Sequence, residues 1–163
     1  MINLSDYKRI HCIGIGGIGL SAIAEILMSR GYEVSGSDMR ESDMTEKLMR
    51  DGADIYLGHR AKNVEGKDLV VYSSAVGADN PELVRAAELG IPAVTRAQAL
   101  GALMDEYDNS IAISGTHGKT TTTSMVSLIL KNAEKKPTIL VGGNLSEING
   151  NVYVGGSDYF VTE

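Results

Sequence analysis

The chain has 163 residues and a mass of 17.3 kDa, enough for one sizeable domain, or for one domain and part of another. Hydrophobic residues make up 43% and charged residues 22%, an ordinary globular balance. The net charge of −6 and pI near 5.1 argue against the basic face that nucleic-acid binding needs, so anionic ligands must be held by backbone N–H groups and a few placed cations. Cys12 is the only cysteine, which rules out an internal disulfide. It lies in the apolar run Ile10 to Ile15 and is expected to be a buried structural thiol. No apolar stretch approaches the roughly 20 residues that span a bilayer. The N-terminus lacks the basic and apolar regions of a signal peptide. A cytoplasmic location is expected.

Short apolar runs alternate with longer segments of helical period, which predicts a parallel sheet with crossover helices. Strands are predicted at Arg9–Gly14, Glu33–Ser37, Asp54–Leu57, Leu69–Ser73 and Ala93–Thr95. The spacing predicts helices over Ile18–Ser29, Asp43–Arg50 and Asn80–Leu89. In the last of these, Asn80 can cap, Pro81 suits the first turn, Glu82 suits the positive end of the helix, and Gly90 stops it. Arg96–Tyr107 reads as a helix leaving this unit, and Asp105–Asn109 as a linker. A second unit starts with a strand at Ile111–Ser114, a loop and a helix over Thr120–Lys131. Another strand follows at Thr138–Val141, and two short apolar runs lie within Asn151–Glu163. The fold class expected is α/β: a Rossmann-like parallel-sheet domain over 1–107, then the start of a P-loop α/β ATPase domain over 108–163. Residues 108–163 are too few to complete such a domain. The chain is therefore expected to be an N-terminal fragment whose second part buries its strands against the first domain or by self-association with another chain.

Gly14-x-Gly16-x-x-Gly19 follows the first strand with dinucleotide-fingerprint spacing. Gly14 permits the tight turn, Gly16 lets backbone approach a diphosphate, and Gly19 lets the helix pack closely. The helix start offers N–H groups and a partial positive charge to an anion. Asp38 ends the second strand, near the usual distance for an acceptor of a ribose hydroxyl. NAD is the default ligand from spacing alone, yet no further residue in this unit suggests hydride transfer. Ser73-Ser74-Ala75 falls where a crevice beside the first loop is expected, and either binds a ligand or caps a turn. His59 is a candidate to line the same crevice. His11 is either a satisfied buried imidazole or a ligand contact.

Gly115-Thr116-His117-Gly118-Lys119-Thr120-Thr121 follows a strand and opens a helix. Backbone N–H groups would cradle the phosphates of ATP, Lys119 would neutralise the terminal ones, and Thr120 would hold Mg²⁺. The full P-loop pattern has a glycine where Ile113 stands, so this loop is shorter. His117 reads as loop geometry or a phosphate contact ahead of a base or metal ligand.

The combination resembles the Mur ligases of bacterial peptidoglycan synthesis. It is carried by His11-x-x-Gly14-Ile15-Gly16-Gly17-Ile18-Gly19, Gly36-Ser37-Asp38, Ser73-Ser74-Ala75, Asn80-Pro81-Glu82 and Gly115-Thr116-His117-Gly118-Lys119-Thr120-Thr121-Thr122. The resemblance implies a three-domain enzyme using ATP and Mg²⁺, of which this chain matches the first domain and the beginning of the second. It implies UDP-N-acetylmuramate and L-alanine as substrates, joined through an acyl phosphate, with Lys119 the catalytic residue. Gly16, Gly17, Ile18 and Gly19 would hold the UDP diphosphate, with Asp38, Ser73, Ser74 and Ala75 completing that site. Asn144, in a Gly142-Gly143-Asn144 turn, would belong to a substrate-side loop, and Glu163 would bind Mg²⁺ beside Thr120. Three competitors remain: a family member that joins a peptide to the same UDP-sugar, an NAD-dependent oxidoreductase, and a non-catalytic nucleotide sensor. The oxidoreductase leaves the second loop unexplained.

Overall fold

The computed structural model describes residues 2–163, which divide into two compact units, 2–102 and 103–163. The first unit holds five parallel strands: β1 (Arg9–Ile13), β2 (Glu33–Asp38), β3 (Asp54–Leu57), β4 (Leu69–Tyr72) and β5 (Ala93–Thr95). Their order across the sheet is β3-β2-β1-β4-β5. Between them run α1 (Ile18–Ser29), α2 (Asp43–Arg50) and α3 (Pro81–Glu88), and α4 (Arg96–Met104) follows β5. The division between the units falls inside α4.

Each helix begins where local chemistry favours it. Ser42 and Thr45 form a reciprocal capping box on α2, and Asn80 caps α3 by accepting from the Glu82 N–H with Pro81 in the first turn. α1 has only Gly17 at its cap position, so no side chain covers its first turn. Much of α1 is buried, Leu20, Ile23, Ala24, Ile26 and Leu27 included, which makes it a central helix of this layer. On the sheet, Ile13, Val64, Val70 and Ala86 form a core cluster against Tyr72, Val76, Leu83 and Ile91. The β3–β4 crossover carries only a short 3₁₀ turn, Ala61–Val64, and its Val64 is fully buried in that cluster. Cys12 is buried, and burial pushes its thiol up to about 12, the inert behaviour expected of a structural cysteine.

In this order β2 and β3 lie on one side of β1, and β4 and β5 on the other. The chain thus reverses direction across the sheet between β1 and β4. Loops leaving the carboxyl ends of those two strands diverge and open a crevice, the usual ligand position in such sheets.

The second unit holds β6 (Asn109–Ala112), α5 (Lys119–Asn132), β7 (Thr138–Leu145), β8 (Gly150–Tyr153) and β9 (Tyr159–Thr162). The order is β6-β9-β7-β8, with β8 alone antiparallel. Asn109, read as linker, starts a strand whose N–H bonds to the Asp158 carbonyl. Gly142-Gly143-Asn144 is not a turn: it extends β7, with an irregularity in pairing to β8 between Leu140 and Leu145. Two glycines hide the strand signal there because they carry no β-branched side chain. Ile139, Val141 and Ile148 form a small core, and the one Phe, Phe160, stacks on Tyr107 with centroids 5.0 Å apart. Met125 and Ile129, one turn apart on α5, are exposed.

Candidate functional site

The crevice between β1 and β4 is a cavity of about 660 Å³. It is lined by Gly14, Gly16 and Gly17 of the first loop, Asp38 and Met39 after β2, His59 after β3, and Ser73, Ala75, Val76, Gly77, Asp79, Asn80 and Pro81 between β4 and α3. Gly16, Gly17, Asp38, His59, Ser73 and Ala75 thus come together as the spacing suggests. Ile18, Gly19 and Ser74 do not line it; Ile18 and Ser74 are exposed. Gly14 turns the chain with φ +81°, its N–H donating to the Ser37 carbonyl at 2.8 Å, and a methyl there would sit 3.0 Å from Ser73 Oγ.

Asp38 Oδ2 accepts the Gly16 N–H at 2.9 Å, so an incoming phosphate oxygen competes with the carboxylate for that donor. Gly19 does not serve packing against the sheet. Its neighbour is Arg96 at the head of α4, whose Nη1 would lie 3.0 Å from a methyl at that position. Arg96 is exposed and makes no ion pair among the described residues. It is the cation beside the first loop that a loop-centred reading of the sequence misses; its position directly after the last short strand was the available signal.

Beneath the cavity lies a buried polar network centred on Glu82, whose side chain is fully enclosed. Its Oε2 accepts from Ser37 Oγ at 2.6 Å and lies 3.4 Å from His59 Nδ1 and 3.6 Å from His11 Nε2. Its Oε1 accepts from Asn63 Nδ2 at 2.5 Å and from the Arg60 N–H at 3.3 Å. Burial by itself would raise this carboxyl, but His11, Ser37 and Asn63 outweigh it and hold the group at about 2, ionised across the physiological range. His11 is fully buried, with Nδ1 on Ser35 Oγ at 3.0 Å. Its other nitrogen is too far from Glu82 for a hydrogen bond and sits there as an electrostatic neighbour. A helix-start reading takes Glu82 as a surface group facing the dipole. Tertiary contacts with β1, β2 and the 3₁₀ turn instead bury it.

In the second unit, Gly115, Thr116, His117, Gly118 and Thr121 are exposed in and after the β6–α5 loop. Gly118 occupies the cap position of α5 with φ +77°, and no side chain covers the helix start. Lys119 Nζ donates to the Gly115 carbonyl at 2.6 Å, folding the lysine back over its own loop. Thr120 Oγ1 lies 2.9 and 3.0 Å from the two oxygens of Glu163, and Glu163 Oε1 also accepts the Gly142 N–H at 2.5 Å. A hydroxyl and a carboxylate meeting beside a bare helix start are hard oxygen donors of the kind Mg²⁺ prefers, so these residues fit that ion. Among the described residues there is no cluster of three or more His, Cys, Asp or Glu that could hold a metal without help from ligand oxygens. Asn144 is exposed and sits in β7.

Two glycine-rich loops thus each sit at the carboxyl end of a strand and at a helix start with no side-chain cap, the geometry that suits an anion. The family profile described as "Mur ligase family, catalytic domain" matches residues 9–108, and the chain belongs to that family. It is 57% identical over 156 residues to a UDP-N-acetylmuramate–L-alanine ligase of Alkaliphilus metalliredigens, covering 96% of this chain and 34% of that protein. Among solved structures, it is similar to a UDP-N-acetylmuramate-alanine ligase from Thermotoga maritima, with a TM-score of 0.85, 40% identity, and coverage of 95% of this chain and 36% of the other. It is also similar to a UDP-N-acetylmuramate:L-alanyl-gamma-D-glutamyl-meso-diaminopimelate ligase from Neisseria meningitides, with a TM-score of 0.83, 30% identity, and coverage of 96% and 52%. The chain spans about a third of the length of the curated relatives it matches. No described helix is long and apolar enough to cross a membrane.

Proposed function

We propose that this chain is the nucleotide-binding portion of an ATP-dependent ligase of peptidoglycan precursor synthesis, which joins L-alanine to the lactyl carboxylate of UDP-N-acetylmuramate. The single observation that carries the reading is the cavity at the reversal point of the first sheet, where Gly16, Gly17, Asp38, His59, Ser73 and Ala75 converge. Its size suits a nucleoside diphosphate, and it opens on an uncapped helix start with Arg96 beside it. In this reading residues 1–107 hold the UDP-sugar and residues 108–163 begin the ATP site. Gly16 to Gly19 take the diphosphate, Asp38 the ribose, and Ser73 to Ala75 the facing wall.

The reaction requires a substrate carboxylate oxygen to attack the γ-phosphorus, releasing ADP and forming an acyl phosphate. The alanine amine then attacks the acyl carbon; phosphate leaves and the nitrogen gives up its proton. Lys119 swings from the Gly115 carbonyl onto the terminal phosphates and stabilises the charge that spreads over the transferring group. Gly115 to Gly118 present backbone to the phosphates, with Thr116, His117 and Thr121 at their edge. Mg²⁺, when bound, neutralises phosphate charge; Thr120 and Glu163 are the residues to hold it. In this reading Asn144, exposed in β7, would serve the substrate side.

Calorimetric titration of the chain with UDP-N-acetylmuramate, UDP and NAD tests the reading. We expect binding of the two uridine compounds and none of NAD; the opposite result would make the first unit a dinucleotide site. A second reading, transfer of a peptide in place of L-alanine, draws support from the Neisseria similarity, but the 57% identity to an alanine ligase favours the amino acid.

A further inference from the structure

We propose that Glu82 is a positioning residue for the cavity. Acting through Ser37, it fixes His59 with a proton on Nδ1 and leaves Nε2 to take up a second proton when a diphosphate binds. The proposal rests on the reading of this cavity as a diphosphate site.

The proton order follows from counting donors. An ionised carboxylate only accepts, so the 2.6 Å contact between Ser37 Oγ and Glu82 Oε2 spends the single serine proton on Glu82. Ser37 Oγ can then only accept from His59 Nδ1, 2.9 Å away, which places a proton on Nδ1. The carboxylate cannot rotate to relax this order, because its other oxygen is held by Asn63 Nδ2 and the Arg60 N–H. The low, ionised state of Glu82 agrees with this order.

With its proton on Nδ1, the neutral form of His59 has a lone pair at Nε2, which makes no hydrogen bond to any described residue, and His59 lines the cavity. A diphosphate oxygen also only accepts. Two acceptors cannot bond, so His59 must gain a proton from solvent for the contact to form: one proton taken up, one N–H···O bond made, no other bond changed. The Glu82 carboxylate, 3.4 Å from Nδ1, stabilises the resulting imidazolium. The charged groups around His59 are Glu82 from α3 and His11 from β1 beneath it, Asp38 after β2 and Asp79 before α3 on the cavity wall, and Arg60 and Lys62 in its own segment.

The test uses the 163-residue chain and UDP-N-acetylmuramate, a diphosphate diester with no group titrating near neutrality. At about pH 8, where an ordinary imidazole is neutral, calorimetry in buffers of different ionisation enthalpy should show uptake of about one proton per ligand bound. Affinity should fall by up to about tenfold per pH unit above neutrality. Ring-nitrogen NMR of the free chain should show His59 protonated on Nδ1. Glu82→Gln should reverse the order: the amide N–H₂ donates to Ser37, the hydroxyl donates to His59, and the ring proton moves to Nε2, abolishing the uptake. Where Glu82→Gln does not fold, His59→Gln, at a partly exposed position, should bind without proton uptake. Uptake that persists in His59→Gln, or an Nε2–H tautomer in the unsubstituted chain, overturns the proposal. Failure to bind UDP-N-acetylmuramate at either pH removes the diphosphate reading and the proton uptake with it, and the tautomer then decides the role of Glu82 by itself.

Discussion

The two phosphate loops share a strand–glycine–helix plan but stand on different foundations. The first sits over a hydrogen-bonded base in which Glu82, Ser37, Asn63 and His11 are all buried. The second is exposed from Gly115 to Gly118, and its half-buried lysine is satisfied by the loop's own carbonyl. A site of the first kind has its geometry set before a ligand arrives; one of the second kind must exchange internal contacts for ligand contacts. Substitutions should therefore change stability most at the first site, and binding most at the second.

Glu82→Ala should have the largest effect. It removes the common acceptor of Ser37, Asn63 and the Arg60 N–H, leaving Ser37 only His59 and Asn63 only the Gly58 carbonyl at 3.3 Å, at a cost on the order of 3 kcal/mol in urea unfolding. An effect below about 1 kcal/mol would mean the network is not structural. Acid exposes the same group. Because Glu82 is depressed from 4.5 to about 2, its contribution is complete above the ordinary value and is lost as pH falls from about 4.5 to 2. The loss should be on the order of 3 kcal/mol across that window, and Glu82→Gln should flatten the profile.

Lys119→Ala sharpens the other side of the comparison. Removing a half-buried lysine bonded only to its own loop should leave the unfolding midpoint nearly unchanged, while ATP affinity falls about a hundredfold for loss of a charged phosphate contact. UDP-sugar affinity should not move. A large stability change here, or unchanged ATP binding, would erase the distinction between the two loops.

Much of this architecture was legible in the sequence, for identifiable reasons. Ile18–Ser29 and Asp43–Arg50 occupy the predicted ranges because periodicity, the Ser42 cap and the flanking turns all agree. Strand order was not legible, since pairing β1 with β4 depends on contacts across 59 positions or more, such as Arg9 with Asp68. The base of the first site was hidden for the same reason. Glu82 has the spacing of an ordinary helix-start acid, and only the approach of Ser37, 45 positions away, turns it into a buried hub. Arg96 was missed because its one local signal, a place directly after the short strand β5, lies 77 positions from Gly19. At the second loop, Thr120 and Gly118 could be placed from their neighbours alone, whereas the meeting of Thr120 with Glu163 spans 43 positions.

The smallest expected effects come from matched glycine substitutions, and they test the comparison most directly. Gly14 and Gly118 both have positive φ, +81° and +77°, so alanine strains the backbone at each by about 1 kcal/mol. They differ in what the methyl meets. At Gly14 it lies 3.0 Å from Ser73 Oγ and 3.5 Å from Ser73 Cβ, so the cavity wall must shift. At Gly118 nothing lies within 4 Å. Gly14→Ala should therefore cost about 2 kcal/mol in stability and roughly tenfold in UDP-sugar affinity, whereas Gly118→Ala should cost the backbone strain alone. Equal stability losses in thermal unfolding would show that the first loop yields as readily as the second, and the buried base beneath it would then not be what holds the loop in shape.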